Sequence, residues 1–362
     1  MSDINIDEMA SVVKNTNKIV VGIFPHMMVP LELIYATGKC HPLVICLGGD
    51  DDMTNIGTEY LTQATCPFAR GTIGYFEHKN PLYSIMNYLV GGNYCNGDLT
   101  ASEIIGVYFN AMQIPIVYPT TSGQIAQKFF YEELKRFRYS LEEIFNVRID
   151  NNSIYNAINK FNEMRALFRK IEEEKIKNSI INHVELQDLI YKAMICGPDY
   201  IIPELQKILE NSTPRENSGK KIILVGSIIA LGDEFLDLLL ELNVDLVIND
   251  TEFARCFYEQ DIQRKHDDPI KDLVDYYLVN TTAARMYPNK TTIPRTINFF
   301  RTYKADGVIN HVLKFCDPYV ALKATFKNKM QEENIPTLEL ERDYSTNIGQ
   351  LKTRIEAFLE MI

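Results

Sequence analysis

The chain has 362 residues, 46% of them apolar and 23% charged, and a formal net charge of −11 at pH 7. That length exceeds one ordinary core and suggests two or three packed units, with the composition of a globular rather than a disordered protein. The acidic excess argues against a nucleic-acid surface, which needs clustered Lys and Arg, and the most apolar stretches, residues 222–225 and 236–240, are far too short to span a bilayer. The first twenty residues carry Asp3, Asp7 and Glu8 and no apolar run of signal-peptide length, so a cytoplasmic chain is expected. Seven cysteines, an odd number scattered along such a chain, read as reduced thiols rather than a disulfide framework.

In chain order, residues 18–24, 42–47, 84–90 and 114–118 have the β-branched, apolar character of buried strands, with helical patterns at 30–37, 68–78 and 100–112 between them. This alternation predicts a parallel α/β sheet. From about residue 122 the pattern changes to long Glu- and Lys-rich helices, 124–145 and 153–177, with almost no strand candidates. The polar run 211–219 reads as a linker. Strands are then expected at 221–225, 244–248, 307–312 and 337–340, with a closing helix over 347–361. The expected organisation is an α/β unit over 1–121, a helical segment and linker over 122–218, and a second α/β unit over 219–362.

The cysteines differ in setting. Cys66 precedes Pro67, a favoured first helical residue. Cys95 lies upstream of Asp98 and of Thr100-Ala-Ser-Glu103, which has capping-box spacing. Cys316 precedes Asp317-Pro318, a good N-cap followed by a good N1 residue. All three therefore sit at or just before expected helix starts, where free N–H groups and the helix dipole favour a thiolate, the form that ligates metal. Cys46 lies inside an apolar strand, Cys196 precedes the helix stop Gly197-Pro198, Cys40 follows a short turn, and Cys256 falls in a helix-like stretch over 252–258. The six histidines show no ligand spacing with these cysteines, which disfavours a closed zinc site. Three thiolates with an open fourth position suit an iron–sulfur cluster, and ordinary buried thiols are the alternative.

Several segments resemble the 2-hydroxyacyl-CoA dehydratase / benzoyl-CoA reductase family. At the N-terminus they are Phe24-Pro25 and Pro30-Leu-Glu32-Leu-Ile-Tyr-Ala-Thr-Gly38. At the C-terminus they are Asp306-Gly307-Val308-Ile309, Lys314-Phe315-Cys316-Asp317-Pro318, Asn334-Ile335-Pro336 and Gly349-Gln350-Leu351-Lys352-Thr353-Arg354-Ile355-Glu356-Ala357-Phe358. The resemblance runs nearly end to end and is weakest in the helical middle.

The resemblance implies two Rossmann-like parallel-sheet domains joined by a mainly helical segment. A [4Fe-4S] cluster would lie in the cleft between them, on Cys66, Cys95 and Cys316. It further implies a related subunit as partner, in a heterodimer or homodimer, and a separate ATP-hydrolysing iron–sulfur activator that injects one electron. An acyl-CoA substrate would pass through a ketyl radical and lose its 2-hydroxyl group. No nucleic-acid or membrane partner is implied.

The pattern is departed from where Tyr319 follows Asp317-Pro318, where Asn96 follows Cys95, and where His26 occupies a loop that carries a small polar residue in catalytic subunits. These departures favour an accessory, electron-relaying subunit, or a paralogue whose substrate is not a standard 2-hydroxyacyl-CoA. His26 is the one candidate proton donor or base in that loop. A double-cubane cluster, as in a related ATP-dependent reductase branch, would need Cys256 or Cys196 as well. A metal-free binding protein on the same scaffold is the reading from another class. Gly226-Ser-Ile-Ile-Ala-Leu-Gly232 is too sparse for a dinucleotide fingerprint, no Walker motif is present, and Arg342 and Asp343 could touch CoA or the cleft, with an ordinary surface ion pair the favoured reading.

Overall fold

The computed structural model describes residues 4–24 and 28–362, so His26 lies outside the described residues. The first part runs α1 (Ile6–Asn15), β1 (Ile19–Phe24), α2 (Leu31–Tyr35), β2 (Cys40–Val44), α3 (Asp51–Gly57), α4 (Pro67–Glu77), β3 (Tyr88–Gly92), α5 (Asn96–Tyr108) and β4 (Met112–Ile116). The middle is helical: α6 (Gln124–Phe145), α7 (Asn151–Asn178), α8 (His183–Cys196) and α9 (Pro198–Asn211). The last part runs β5 (Lys220–Gly226), α10 (Phe235–Glu241), β6 (Val244–Thr251), α11 (Pro269–Val274) and α12 (Thr292–Tyr303). It closes with β7 (Gly307–Leu313), α13 (Asp317–Glu332), β8 (Thr337–Arg342) and α14 (Ile348–Met361).

Each α/β part builds one four-stranded parallel sheet, in the orders β2-β1-β3-β4 and β6-β5-β7-β8. The two orders are the same once the second set is renumbered, so the chain holds two Rossmann-like domains of matching topology. Central strands are covered on both faces and therefore read as continuous apolar runs. In the second sheet Ile222, Leu224, Leu246 and Ile309 pack beneath Phe235 and Leu239 of α10 and Ile355 and Phe358 of α14. Their neighbours Ile223, Val225, Val247 and Val308 face the other way, onto Phe299 of α12 and Phe326 and Met330 of α13. The period-2 alternation of the strand divides one sequence run between two helical layers.

The middle helices do not form a separate body. Helix α7 spans both domains: Arg165 pairs with Glu32 of α2 at 2.5 Å, and Arg169 takes both oxygens of Asp261 at 2.8 Å. Glu172, on the same helix, accepts from Arg255 and from Tyr258 Oη in the chain that follows β6. Glu32 and Arg165 are almost fully buried, and Tyr277 Oη donates to the second Glu32 oxygen at 2.7 Å.

Three expectations differ from the structure. The strand expected over 84–90 begins only at Tyr88, because Asn80 captures the preceding residues in a turn. Its side chain accepts from Leu82 N–H, and its carbonyl accepts from Ser84 N–H. Helix α5 starts at Asn96, not Thr100, whose hydroxyl is spent on the Asn96 carbonyl inside the helix. The helix-like stretch around Cys256 shrinks to a 3-10 turn over Arg255–Phe257.

Two consequences can be measured. Removing one partner of the Glu32–Arg165 pair strands a buried charge, so Arg165→Met is expected to destabilise by about 3–5 kcal/mol in urea unfolding. The double variant Glu32→Gln/Arg165→Met should recover much of that loss. Helices α3 and α4 approach through glycine: a Cβ on Gly74 would stand 2.0 Å from the Met53 carbonyl oxygen, and one on Gly57 2.0 Å from that of Arg70. Gly74→Ala must push backbone from backbone, and an unfolding titration should show a loss of about 2–3 kcal/mol.

Candidate functional site

Parallel α/β sheets leave a crevice beyond the carboxyl ends of their strands, where helix N-termini point. Here two such ends face each other. The segment after β2 and the segment after β5 meet in a single parallel bridge, Leu47 opposite Leu231. Leu231 N–H donates to the Cys46 carbonyl at 2.8 Å, and Gly48 N–H to the Leu231 carbonyl at 2.9 Å.

Beside this seam opens a cavity of about 420 Å3, lined by residues of both domains, among them Cys66, Cys95, Cys316, Asp98 and Glu252. All three cysteines singled out in the sequence meet there, and each is the N-cap of its helix: Cys66 of α4, Cys95 of α5, Cys316 of α13. Pro67 takes the first position of α4, and Phe315, in the left-handed region at φ 62°, turns the chain so that Cys316 enters the cavity end of α13. Asp98 N–H donates to Cys95 Sγ at 3.3 Å. The other cysteines lie elsewhere. Cys40, Cys46 and Cys196 are buried, Cys196 with its sulfur 3.5 Å from Met9 Sδ. Cys256 turns its thiol onto the Glu252 carbonyl at 2.8 Å and does not line the cavity.

Electrostatics correct one expectation. The helix ends do not hold these sulfurs as thiolates. Burial pushes the Cys66 thiol up to about 12, against the pull of the Ala69 and Phe68 N–H groups. Burial, reinforced by the neighbouring acidic groups, also raises Cys95 and Cys316 well above the ordinary thiol range. A helix end contributes on the order of 0.3–1 kcal/mol, less than the cost of burying an uncompensated anion. Three carboxyls line the cavity, Asp98, Glu252 and Asp317, and burial pushes the first two each up to about 7. Tyr94 Oη donates to Glu252 Oε1 across the domain boundary.

Arg342 and Asp343 are not a surface pair. Arg342 is buried and reaches Asp233 and His311 Nε2, and Asp343 pairs at 3.4 Å with Arg70, one turn along the helix that Cys66 caps. Phe68, two residues beyond Cys66, packs edge-on against Phe253 at 5.5 Å and at a tilt against Phe24 at 5.8 Å, a buried aromatic wall between the domains. Glu252 was missed in the sequence, where its only signal is its place directly after the strand that ends at Thr251.

Among the described residues, no three His, Cys, Asp or Glu side chains converge closely enough to hold a metal ion. No helix is long and apolar enough to cross a membrane.

A family model described as 2-hydroxyglutaryl-CoA dehydratase, D-component, matches residues 26–362. The chain is 24% identical to the (R)-phenyllactyl-CoA dehydratase beta subunit of Clostridium sporogenes, over 96% of this chain and 93% of that one. It is 22% identical to (R)-2-hydroxyglutaryl-CoA dehydratase, subunit beta, of Acidaminococcus fermentans, over 96% and 94%. It is also 21% identical to one of the benzoyl-CoA reductase subunits of Thauera aromatica, over 90% and 85%. With the match spanning all but the first residues and the fold complete on both sides of the cleft, the chain belongs to the 2-hydroxyglutaryl-CoA dehydratase D-component family.

Proposed function

We propose that this chain is the iron–sulfur subunit of a 2-hydroxyacyl-CoA dehydratase, holding one [4Fe-4S] cluster on Cys66, Cys95 and Cys316. Its partners would be a related subunit and an ATP-hydrolysing activator. The observation that carries the reading is the convergence of three helix-capping cysteines, two from one domain and one from the other, on a single cavity. The donor set fits such a cluster. A cubane takes each thiolate on a different iron, so its ligands stand farther apart than those of a single ion, and it is held by cysteine rather than by histidine.

Bound there, the cluster would supply low-potential one-electron transfer. The chain's own groups do the rest. The Asp98 N–H at the start of α5 donates to the Cys95 sulfur, and the Phe68 and Ala69 N–H groups of α4 favour charge on Cys66; both would tune the potential. The Phe24–Phe68–Phe253 wall keeps water from one side, and Arg70–Asp343 ties the helix behind Cys66 to the domain that carries Cys316. The relatives' names supply the acyl-CoA class.

Anaerobically prepared protein should contain about four irons per chain, lost in Cys66→Ser, Cys95→Ser and Cys316→Ser and kept in Cys46→Ser and Cys256→Ser. Iron-free wild type, even beside its partner subunit, would end the cluster reading, and eight irons would replace it with the double-cubane one. With partner and activator supplied, conversion of a 2-hydroxyacyl-CoA to the enoyl-CoA should appear and vanish in the same three variants. Reduction of an aromatic thioester instead would move the chain to the reductases.

A second measurement follows from the thiol electrostatics. Since Cys66, Cys95 and Cys316 are protonated near neutrality, cluster uptake must release protons, and affinity for iron must rise with pH. Reconstitution from iron and hydrosulfide in weakly buffered solution should release about three protons per cluster beyond those the hydrosulfide itself gives up, and the Cys→Ser variants, which bind no cluster, should not show this release.

A further inference from the structure

We propose that Glu252 is the fourth protein ligand of this cluster, so that the site is closed to outside ligands and the subunit passes electrons rather than binding substrate at iron. The inference rests on the cluster reading above.

Topology is the first argument. In the matching strand orders, β3 corresponds to β7 and β2 to β6. Cys95 and Cys316 are equivalent under that match: each is the third residue past the end of its strand and each caps the helix that follows. Cys66 lies in the connection from β2 to β3, and its counterpart must come from the connection from β6 to β7. The residue from that connection which lines the cavity is Glu252, directly past the end of β6. The two domains thus contribute Cys66 and Cys95 from one side and Glu252 and Cys316 from the other.

The carboxylate's surroundings are the second argument. Glu252 is 6% exposed, yet among the described residues no Lys, Arg or His forms an ion pair with it. Arg285, whose charge reaches it, pairs with Asp317, and Arg295 is committed to Asp250 and Glu259. Buried carboxylates are ordinarily paired or bound to a metal. What Glu252 has instead is one phenol, Tyr94, donating to the carboxylate, with a second, Tyr319, beside it. Ligating carboxylates are oriented in this way by second donors. Its backbone is also fixed, since its carbonyl accepts the Cys256 thiol and Arg255 is anchored to Glu172 of α7. Of the other carboxyls that line the cavity, Asp98 sits in the same helix turn as Cys95, whose sulfur accepts its backbone N–H, and Asp317 is largely exposed and paired with Arg285.

The test uses the full chain reconstituted anaerobically with iron and sulfide, as wild type, Glu252→Gln and Glu252→Cys, with circular dichroism to confirm the fold. Cyanide added to the reduced wild type should leave its electron paramagnetic resonance spectrum unchanged, a measurement that needs no variant. In Glu252→Gln about four irons should remain on the three cysteines. Cyanide should now shift the spectrum, the midpoint potential should rise with loss of an anionic ligand, and one iron should leave to a ferrous chelator about tenfold faster or more. Glu252→Cys should restore resistance to cyanide. A loaded wild type whose spectrum shifts with cyanide, or a Glu252→Gln whose spectrum and potential match wild type, overturns the ligand assignment and leaves the cluster standing; Glu252 is then a proton-carrying group in an open site. Wild type that binds no iron overturns both.

Discussion

The short seam at Leu47 and Leu231 is the constraint on which the site depends. Two backbone hydrogen bonds join the segment that leaves edge strand β2 of the first sheet to the one that leaves central strand β5 of the second, and they hold the carboxyl ends of those strands face to face. In a parallel α/β sheet every following helix begins at that end, so apposing two sheets aims helix N-termini from opposite sides into one volume. The cysteines at the starts of α4, α5 and α13 are far apart in sequence and become neighbours only through this apposition. A single domain would present at most two of them, on an open surface.

Around the seam, charge is buried in pairs. Arg342 runs between Asp233 and His311, and burial together with the Arg342 charge keeps His311 neutral, so that its Nε2 accepts from Arg342 Nε at 2.8 Å. Arg70–Asp343 crosses the domain boundary, and Glu32–Arg165 crosses from the first domain to the middle helices. Buried ion pairs add little net stability over apolar packing of equal volume, but they penalise any displacement that separates the partners. Their arrangement along the cleft resists hinge opening there, and the long helix α7, bonded at its middle to α2 and just beyond to the loop after β6, acts as the brace.

Much of this was legible in the residues. The amphipathic run 124–145 gave the bounds of α6, and the apolar runs of the C-terminal domain gave the places of β5, β6, β7 and β8. The signals were strong where local preference and burial agree, as in strands covered on both faces. They failed where one side chain captured the backbone. Asn80 turned the start of an expected strand into a turn, and Thr100, read as a cap, proved to be an interior residue because Cys95 itself caps α5. Helix-start chemistry did pick out the three cysteines that meet, yet it misjudged their ionisation, because burial is not visible in spacing.

The sequence by itself determined the alternation of strands and helices, the helical middle, and which cysteines stand at helix starts. These follow from periodicity, proline placement and capping preferences, all of which act within a few residues. Only the tertiary structure decided that Cys66, Cys95 and Cys316 share a cavity with Asp98 and Glu252, and that Arg342 and Asp343 turn inward to bind Asp233 and Arg70. It also decided that the thiols are protonated. Each of these depends on which surfaces are brought out of water together. That is a property of two sheets meeting at their strand ends, and no local pattern records it.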